Sequence, residues 1–472
     1  MSSGVVKGTT AVLAEWAAGF KLEHAPDIVV ERMRAAVLDL LRVVTVGARL
    51  PWSRAARRVT LELGGTGNRS VFLFVDRLYA ARAAFVNGAF AHACDLDDTH
   101  VGSMHHAGAS ILPAVIAMAE RTDASGRELL EAAICGYESS LRIGLAMQPS
   151  MFNRGFMATS SCGALGAALA VGKLLHFGPE DMAGALGAAS SYAGGLAQFY
   201  HSGSVIKRIN GARGAESGVT AALLTRQGIW GPRDILEGEA GFFRAFSDAF
   251  DPTRVTADLG REYRLMEVST KVHAGAGRLQ ASADAGLSLG SEHGLTPEQI
   301  VDVEVGIPKV IQGRLTQADP PDLQSAQMSV PFSLAMSLAI GRVRGARAGL
   351  RREDFESALA SPEVRALSGR VRCVLDAEVE AGTNTEEVPS RVSVRLTDGR
   401  ELVARVPHPR GSPHRRMTWD ELGALFQDTV ADALPSGNVA RVLELVANLD
   451  RGARPREITT AFVAVPEWLE VE

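Results

Sequence analysis

Apolar positions along most of the chain recur with the period of a helix. Val29, Val30, Met33, Val37, Leu40, Leu41 and Val44 fall on one face of a 3.6-residue repeat and predict a helix over 28–48. Residues 52–76 read as a helix, a turn at Gly64-Gly65 and a short strand around Val71–Val75. A helix of small residues follows over Ala80–Ala93, and helical spacing resumes after Pro113 through Glu120. Ser125 with Glu128 forms a capping box ahead of Leu129, Leu130, Ala133, Ile134 and Tyr137. The Ala- and Gly-rich stretches Ser160–Leu175 and Asp181–Leu196 predict helices that approach each other closely, and Gly214–Gln227 predicts another.

The period changes after about residue 265. Thr296 to Gln299 reads as a helix start, yet Val301–Ile307 alternates with period two, as do Val371–Val379 and Val392–Val406. Thr397-Asp-Gly-Arg400 supplies a hairpin turn inside the last of these. Helical spacing lies between them at Gln327–Ile340 and Arg352–Ala360, and Thr418 with Glu421 opens a final helical stretch. The expected architecture is mainly α. A helical domain over 1–265 is completed by C-terminal helices over 406–472, and a smaller α+β domain over 266–405 lies between them.

Composition narrows the function. With 46% hydrophobic and 22% charged residues in 472, the chain is ordinary for a globular protein and long enough for two cores. A net charge of -5 argues against a general nucleic-acid binder. Four scattered cysteines give no metal-binding spacing, which fits reduced thiols in the cytoplasm. Glu15 interrupts the N-terminal apolar stretch and Lys173 breaks the best spanning candidate, so neither a signal peptide nor a membrane segment is expected. Only six of the 49 basic residues are lysine, and two of those, Lys207 and Lys271, fall in motif-like segments.

Chemistry concentrates in Asn87–Pro113. Asp95, Asp97, Asp98, Thr99, His92, His100, His105 and His106 stand together there. Crowded carboxylates and imidazoles suit proton transfer near neutral pH, and an acidic helix cap is the alternative. A metal site is not expected, because no ligand spacing of the HExxH kind occurs. Gly203–Gly218 carries Lys207, Arg208 and Arg213 among glycines ahead of a helix; this is an anion site or a basic surface loop. Ser269–Asp284 places Lys271 and His273 at the expected domain junction, as a cleft or as an exposed hinge.

HACDLDDTH (His92–His100), SSCGALGAALAVGKLL (Ser160–Leu175), GSVIKRINGARGAESGV (Gly203–Val219), GPRDILEGEAGF (Gly231–Phe242) and AQMSVPFSLA (Ala326–Ala335) together resemble the 2-methylcitrate dehydratase family, also called MmgE/PrpD. The resemblance covers nearly the full chain. It implies a helical domain from both chain ends, an α+β lid and a homodimer. It also implies catalysis without metal or organic cofactor, beside a carboxylate of a small organic acid, by loss of water, loss of CO2 or epimerisation. Carried onto this sequence, the family motifs fall on Asp95, Thr99, His106, Lys207, Arg208, Arg213 and Lys271. His106, oriented by Asp95, would move the proton, while Lys207, Arg208 and Lys271 would stabilise charge on the carboxylate.

The departures bear on the substrate. Met157-Ala158 stands where relatives carry His-Pro, Ala107-Gly108 replaces Pro-Ser, and Pro331-Phe332 replaces Pro-Tyr. The lid motif reads Lys271-Val-His-Ala-Gly-Ala, so His273 or His105 are the candidates to replace the missing imidazole. These changes remove polar groups, which points to epimerase-type proton transfer, or to a cyclase or double-bond isomerase acting on a larger and less charged molecule. A non-catalytic binding protein on the same fold is the reading from another class.

Overall fold

The computed structural model describes residues 7–199 and 204–470, and helix dominates it. The helix Asp27–Ala48 buries Val29, Val30, Met33, Val37, Leu40, Leu41 and Val44, the stripe expected from their spacing. The box at Ser125 closes as read: Ser125 Oγ accepts from Glu128 N at 3.2 Å, and Ser125 N donates to Glu128 Oε2 at 2.8 Å. Every residue of Ala158–Leu174 is buried. Its neighbour Asn210–Arg226 comes so close that a Cβ on Gly218 would sit 2.3 Å from the Ala167 Cβ.

One apolar core unites residues from Leu13 to Val268 with Leu422, Phe426, Val430, Val442, Leu445, Phe462 and Trp468 from the C-terminal helices. A second core runs from Ala274 to Leu396 and also takes in Val43, Leu50, Ala93, Cys94 and Leu96. It lies around a four-stranded sheet with Ile300–Ile307 at its centre. That strand is parallel to Val371–Leu375 and antiparallel to Ser390–Leu396, which pairs on with Glu401–Val406. The helices Gln280–His293 and Val330–Arg344 pack together and against the sheet. Cys94 and Leu96 thus anchor the acidic segment in the second core, while its flanking helix Ala80–Ala91 belongs to the first.

The structure departs from several local expectations. The hairpin strands are Thr66–Ser70 and Arg77–Leu78; Val71 to Val75 is the connection, with Val71, Phe72 and Leu73 buried by the first core. The helix Ala107–Thr122 starts before Pro113 and carries it internally. The stretch read as helix over 181–196 ends at Ser190. Thr296 caps only a three-residue 3-10 turn before the strand takes over. The strand expected to run to Val379 stops at Leu375, because the Asp376 carboxylate accepts from Glu378 N and Val379 N and starts a short helix. The helix expected from Gln327 starts at Val330, with Ser329 as its cap and Pro331 in its first turn. Among the described residues, no helix is long and apolar enough to cross a membrane.

Candidate active site

Asp95 is the centre of the charged cluster. It is buried, and its backbone is left-handed at φ 57°, a conformation that Asp tolerates better than most residues. Its Oδ2 takes the Lys207 ammonium at 2.5 Å. The Lys271 ammonium reaches both Asp95 Oδ1 at 2.8 Å and the Asp95 carbonyl at 2.7 Å, so one side chain holds the charge and the strained backbone together. Burial alone would raise the Asp95 carboxyl, but Lys207, Lys271 and Arg208 bring it well below the ordinary range. Burial lowers the Lys207 ammonium to about 8 against the pull of Asp95, helped by the cations of Arg208 and Lys271.

His106 is held differently from the expectation. Its Nδ1 donates to the Asp98 carbonyl at 2.8 Å and stands 3.4 Å from Asp97 Oδ2; Asp95 does not orient it. The left-handed turn at residue 95 directs that carboxylate to the lysines and leaves Asp97 to the imidazoles. A carbonyl only accepts, so the proton sits on Nδ1 and Nε2 keeps its lone pair. Burial lowers His106 to about 3, against Asp97 and with Lys271, His92 and Lys207 adding, so the ring is neutral near pH 7. Asp97 Oδ2 also takes His92 Nδ1 at 2.7 Å. Asp98 accepts from Gly108 N at 2.9 Å and Tyr137 Oη at 2.7 Å; burial pushes its carboxyl up to about 7 even so.

Asp95, His106 and Lys207 floor a cavity of about 500 Å³ between the two cores. Asp95, Thr99, His106, Met157 and Lys207 line it, and Lys271 lies directly behind Asp95. Thr99 is fixed by paired backbone bonds to Ser269 at 3.0 and 2.8 Å, which tie the acidic segment to the segment carrying Lys271. Met157 is the N-cap of the helix Ala158–Leu174 and forms part of the wall.

Besides Lys271, the sequence candidates Arg208, Arg213, His273 and His105 do not line this cavity. Arg208 is buried behind it, donating to Gln327 Oε1 at 2.8 Å, with its guanidinium 5.8 Å from the Trp52 ring centre. Arg213 turns outward to Glu216 and borders a separate surface depression with Tyr192 and Leu196. His273 bridges Asp284 at 3.1 Å and Leu350 N at 3.1 Å inside the second core, so it does not replace the family imidazole. His105 is buried against Gly163, and burial holds it well below the ordinary imidazole range. Gly203, at the start of the basic segment, lies outside the described residues.

Arg154, Arg278 and Arg314 also line the cavity, and none of them was a candidate from sequence. Arg278 sat inside a segment already singled out, but among so many arginines nothing marked it. Contrary to the expectation of no metal-ligand set, His92, Asp97 and His106 bring donor atoms within 4.8 Å of one another, a set that could hold a metal ion. Lys271 Nζ, 4.0 Å from Asp97 Oδ1, adds positive charge beside it and opposes a cation there.

The family model described as the MmgE/PrpD N-terminal domain matches residues 11–255, and that of the MmgE/PrpD C-terminal domain matches 273–451. A cis-aconitate decarboxylase of Aspergillus terreus is 28% identical over 95% of this chain and 94% of its own length. The cis-aconitate decarboxylase-like protein oryM of Aspergillus oryzae is 27% identical over 95% and 96%. The human cis-aconitate decarboxylase is 26% identical over 94% and 92%.

Proposed function

The chain belongs to the MmgE/PrpD family, and from that premise we propose that it is a lyase that needs no cofactor and acts at the carbon beside a carboxylate of a small organic acid. The observation that carries this reading is the meeting of neutral His106 and the Lys207 ammonium on one buried cavity floor. The substrate carboxylate would sit against Lys207 and the Thr99 hydroxyl. His106 Nε2 would take a proton from the adjacent carbon, and the electron pair would pass into the carboxylate, where fixed ammonium charge stabilises it more than the ground state. Loss of hydroxide, with a proton from Lys207 or the imidazolium, completes a dehydration. In a decarboxylation, the electrons of the breaking C–CO2 bond shift the double bond, and the Lys207 ammonium protonates the far carbon. The similarity to cis-aconitate decarboxylases favours decarboxylation.

Epimerase or isomerase chemistry shares the first proton transfer. The apolar Met157 where relatives carry an imidazole favours it as the second reading. A purely binding role fits poorly, because burying two ammoniums on a carboxylate costs stability that a scaffold need not give up. A homodimer is part of the proposal, with the exposed Tyr192, Leu196, Val205 and Ile206 as the apolar surface available to it; sedimentation velocity tests that state.

The test is turnover of cis-aconitate and other small organic acids in deuterated water, followed by NMR. Wild type should release CO2 or water, or at least exchange the α-proton. Lys207→Ala and His106→Ala should abolish both signals while keeping the wild-type circular dichroism spectrum. Wild-type rates in either folded variant refute the assignment.

A further inference from the structure

The cavity is far from uniform in polarity, and its layers follow depth. Its floor is buried and charged: Lys207 and Asp95 are each 1% exposed. Its middle is apolar, formed by Met104, Met157, Met328 and Phe152. Its rim is cationic again, with Arg154 and Arg314 exposed and Arg278 half-buried. These three arginines come from three separate segments, one following the helix Ser150–Asn153, one in the turn Gly277–Leu279 and one beyond the strand Ile300–Ile307. Among the described residues, Asp95 is the one acid on the wall, against Lys207 and the three arginines.

Charge counting assigns a valence to each end. On the floor, the cations Lys207, Lys271 and Arg208 outnumber the carboxylates Asp95 and Asp97 by one, with Lys271 between the two carboxylates. At the rim, Arg154 is paired with Asp248, while the Arg314 guanidinium stands 5.7 Å from the Phe152 ring centre. A compact tricarboxylate presents carboxylates all round a short skeleton, and any that faces Met104, Met157, Met328 or Phe152 meets no donor there, Asn153 and Gln198 being the neutral donors elsewhere on the wall. The volume says the same. At ~30 Å³ per liquid water, the cavity has room for about seventeen waters, more than the heavy atoms of a six-carbon tricarboxylate. Methionine is unbranched and polarizable, so a three-methionine wall accepts an irregular alkyl or aryl body.

We propose that the substrate is an elongated diacid: one carboxylate beside the reacting carbon on the Lys207 floor, an apolar body along the methionine wall, and a second anionic group among the rim arginines. The reacting end rests on the function proposed above; the rest stands on the cavity itself. Met157 and Arg314 then determine specificity, since one sets the middle of the cavity and the other its outer pole.

The experiment uses the full chain and a series of unbranched α,ω-dicarboxylates from butanedioate to decanedioate. The matched monocarboxylates, citrate and cis-aconitate run beside them, with Kd read by calorimetry. Affinity should rise roughly fourfold per added methylene until the second carboxylate reaches the rim, then level off. Removing that carboxylate should weaken the longest diacids about tenfold or more. Arg314→Gln, at an exposed position that leaves the fold intact, should weaken the long diacids and leave butanedioate unchanged. Binding of citrate, cis-aconitate or butanedioate as tight as that of any longer diacid overturns the proposal, as does equal binding by the monocarboxylates. Turnover of cis-aconitate without length preference keeps the lyase reading and overturns this one. Length preference without turnover of any acid supports this one and overturns the lyase.

Discussion

Replacing Asp98 by Asn removes a titration that the fold itself creates. The carboxyl is buried beneath Tyr137 and Gly108, and burial pushes it up to about 7 from the ordinary carboxylate value of 3.8. Between those values the folded chain binds a proton that the unfolded chain has released. The stability this contributes is full below the unfolded value and is lost as pH rises through 7. A shift of about three units corresponds to about 4 kcal/mol in all, of which about 3 kcal/mol falls between about pH 5 and about pH 8. Asparagine keeps the shape, still accepts from Gly108 N and carries no charge. Urea unfolding of both proteins at the two pH values, followed by far-UV circular dichroism, measures the effect. Wild type should lose about 3 kcal/mol more than Asp98→Asn on going from the lower to the higher pH. Because the Asp98 carbonyl, and not its carboxyl, holds His106, the variant should keep its turnover. An identical pH dependence in the two proteins refutes the burial argument.

Turnover should fall above about pH 8 as Lys207 loses its proton, read as the basic limb of kcat/KM against pH; a flat profile to pH 10 would remove Lys207 as the charged partner. Lys271→Met deprives Asp95 of an ammonium and of the bond to its carbonyl, and should cost about 3 kcal/mol in chemical denaturation. Adding Asp95→Asn should recover part of that loss, and strict additivity of the two changes would count against a direct pair. Gly218→Ala drives a methyl to 2.3 Å from the Ala167 Cβ at a helix crossing with no room to yield, and should destabilise by about 3 kcal/mol in the same assay without shifting KM.

What the sequence disclosed follows the range of the forces involved. Helical periodicity, the capping boxes at Ser125 and Thr418 and the hairpin at Thr397-Asp-Gly-Arg400 are set by near neighbours, and each is present in the structure. The strand expected around Val71–Val75 failed for the complementary reason: Val71, Phe72 and Leu73 are apolar because they dock on the first core, not because they pair in a ladder. The gathering of Asp95, Lys207 and Lys271 was expected from the family resemblance, since spacing alone left the lysine segments open to readings as a surface loop and a hinge. The partner of His106 was not, because it depends on a left-handed turn at residue 95 that composition does not announce. The rim arginines were hidden by number, one cation among many until the fold brings three segments to one opening.

The left-handed backbone at residue 95 also governs how this protein can diverge. Glycine, asparagine and aspartate enter that conformation readily, and of these only aspartate answers two facing ammoniums. Position 95 is therefore nearly frozen against substitution, whereas a methionine wall tolerates exchange at little energetic penalty. Descendants of such a chain can change what they recognise while inheriting an untouched proton-handling floor.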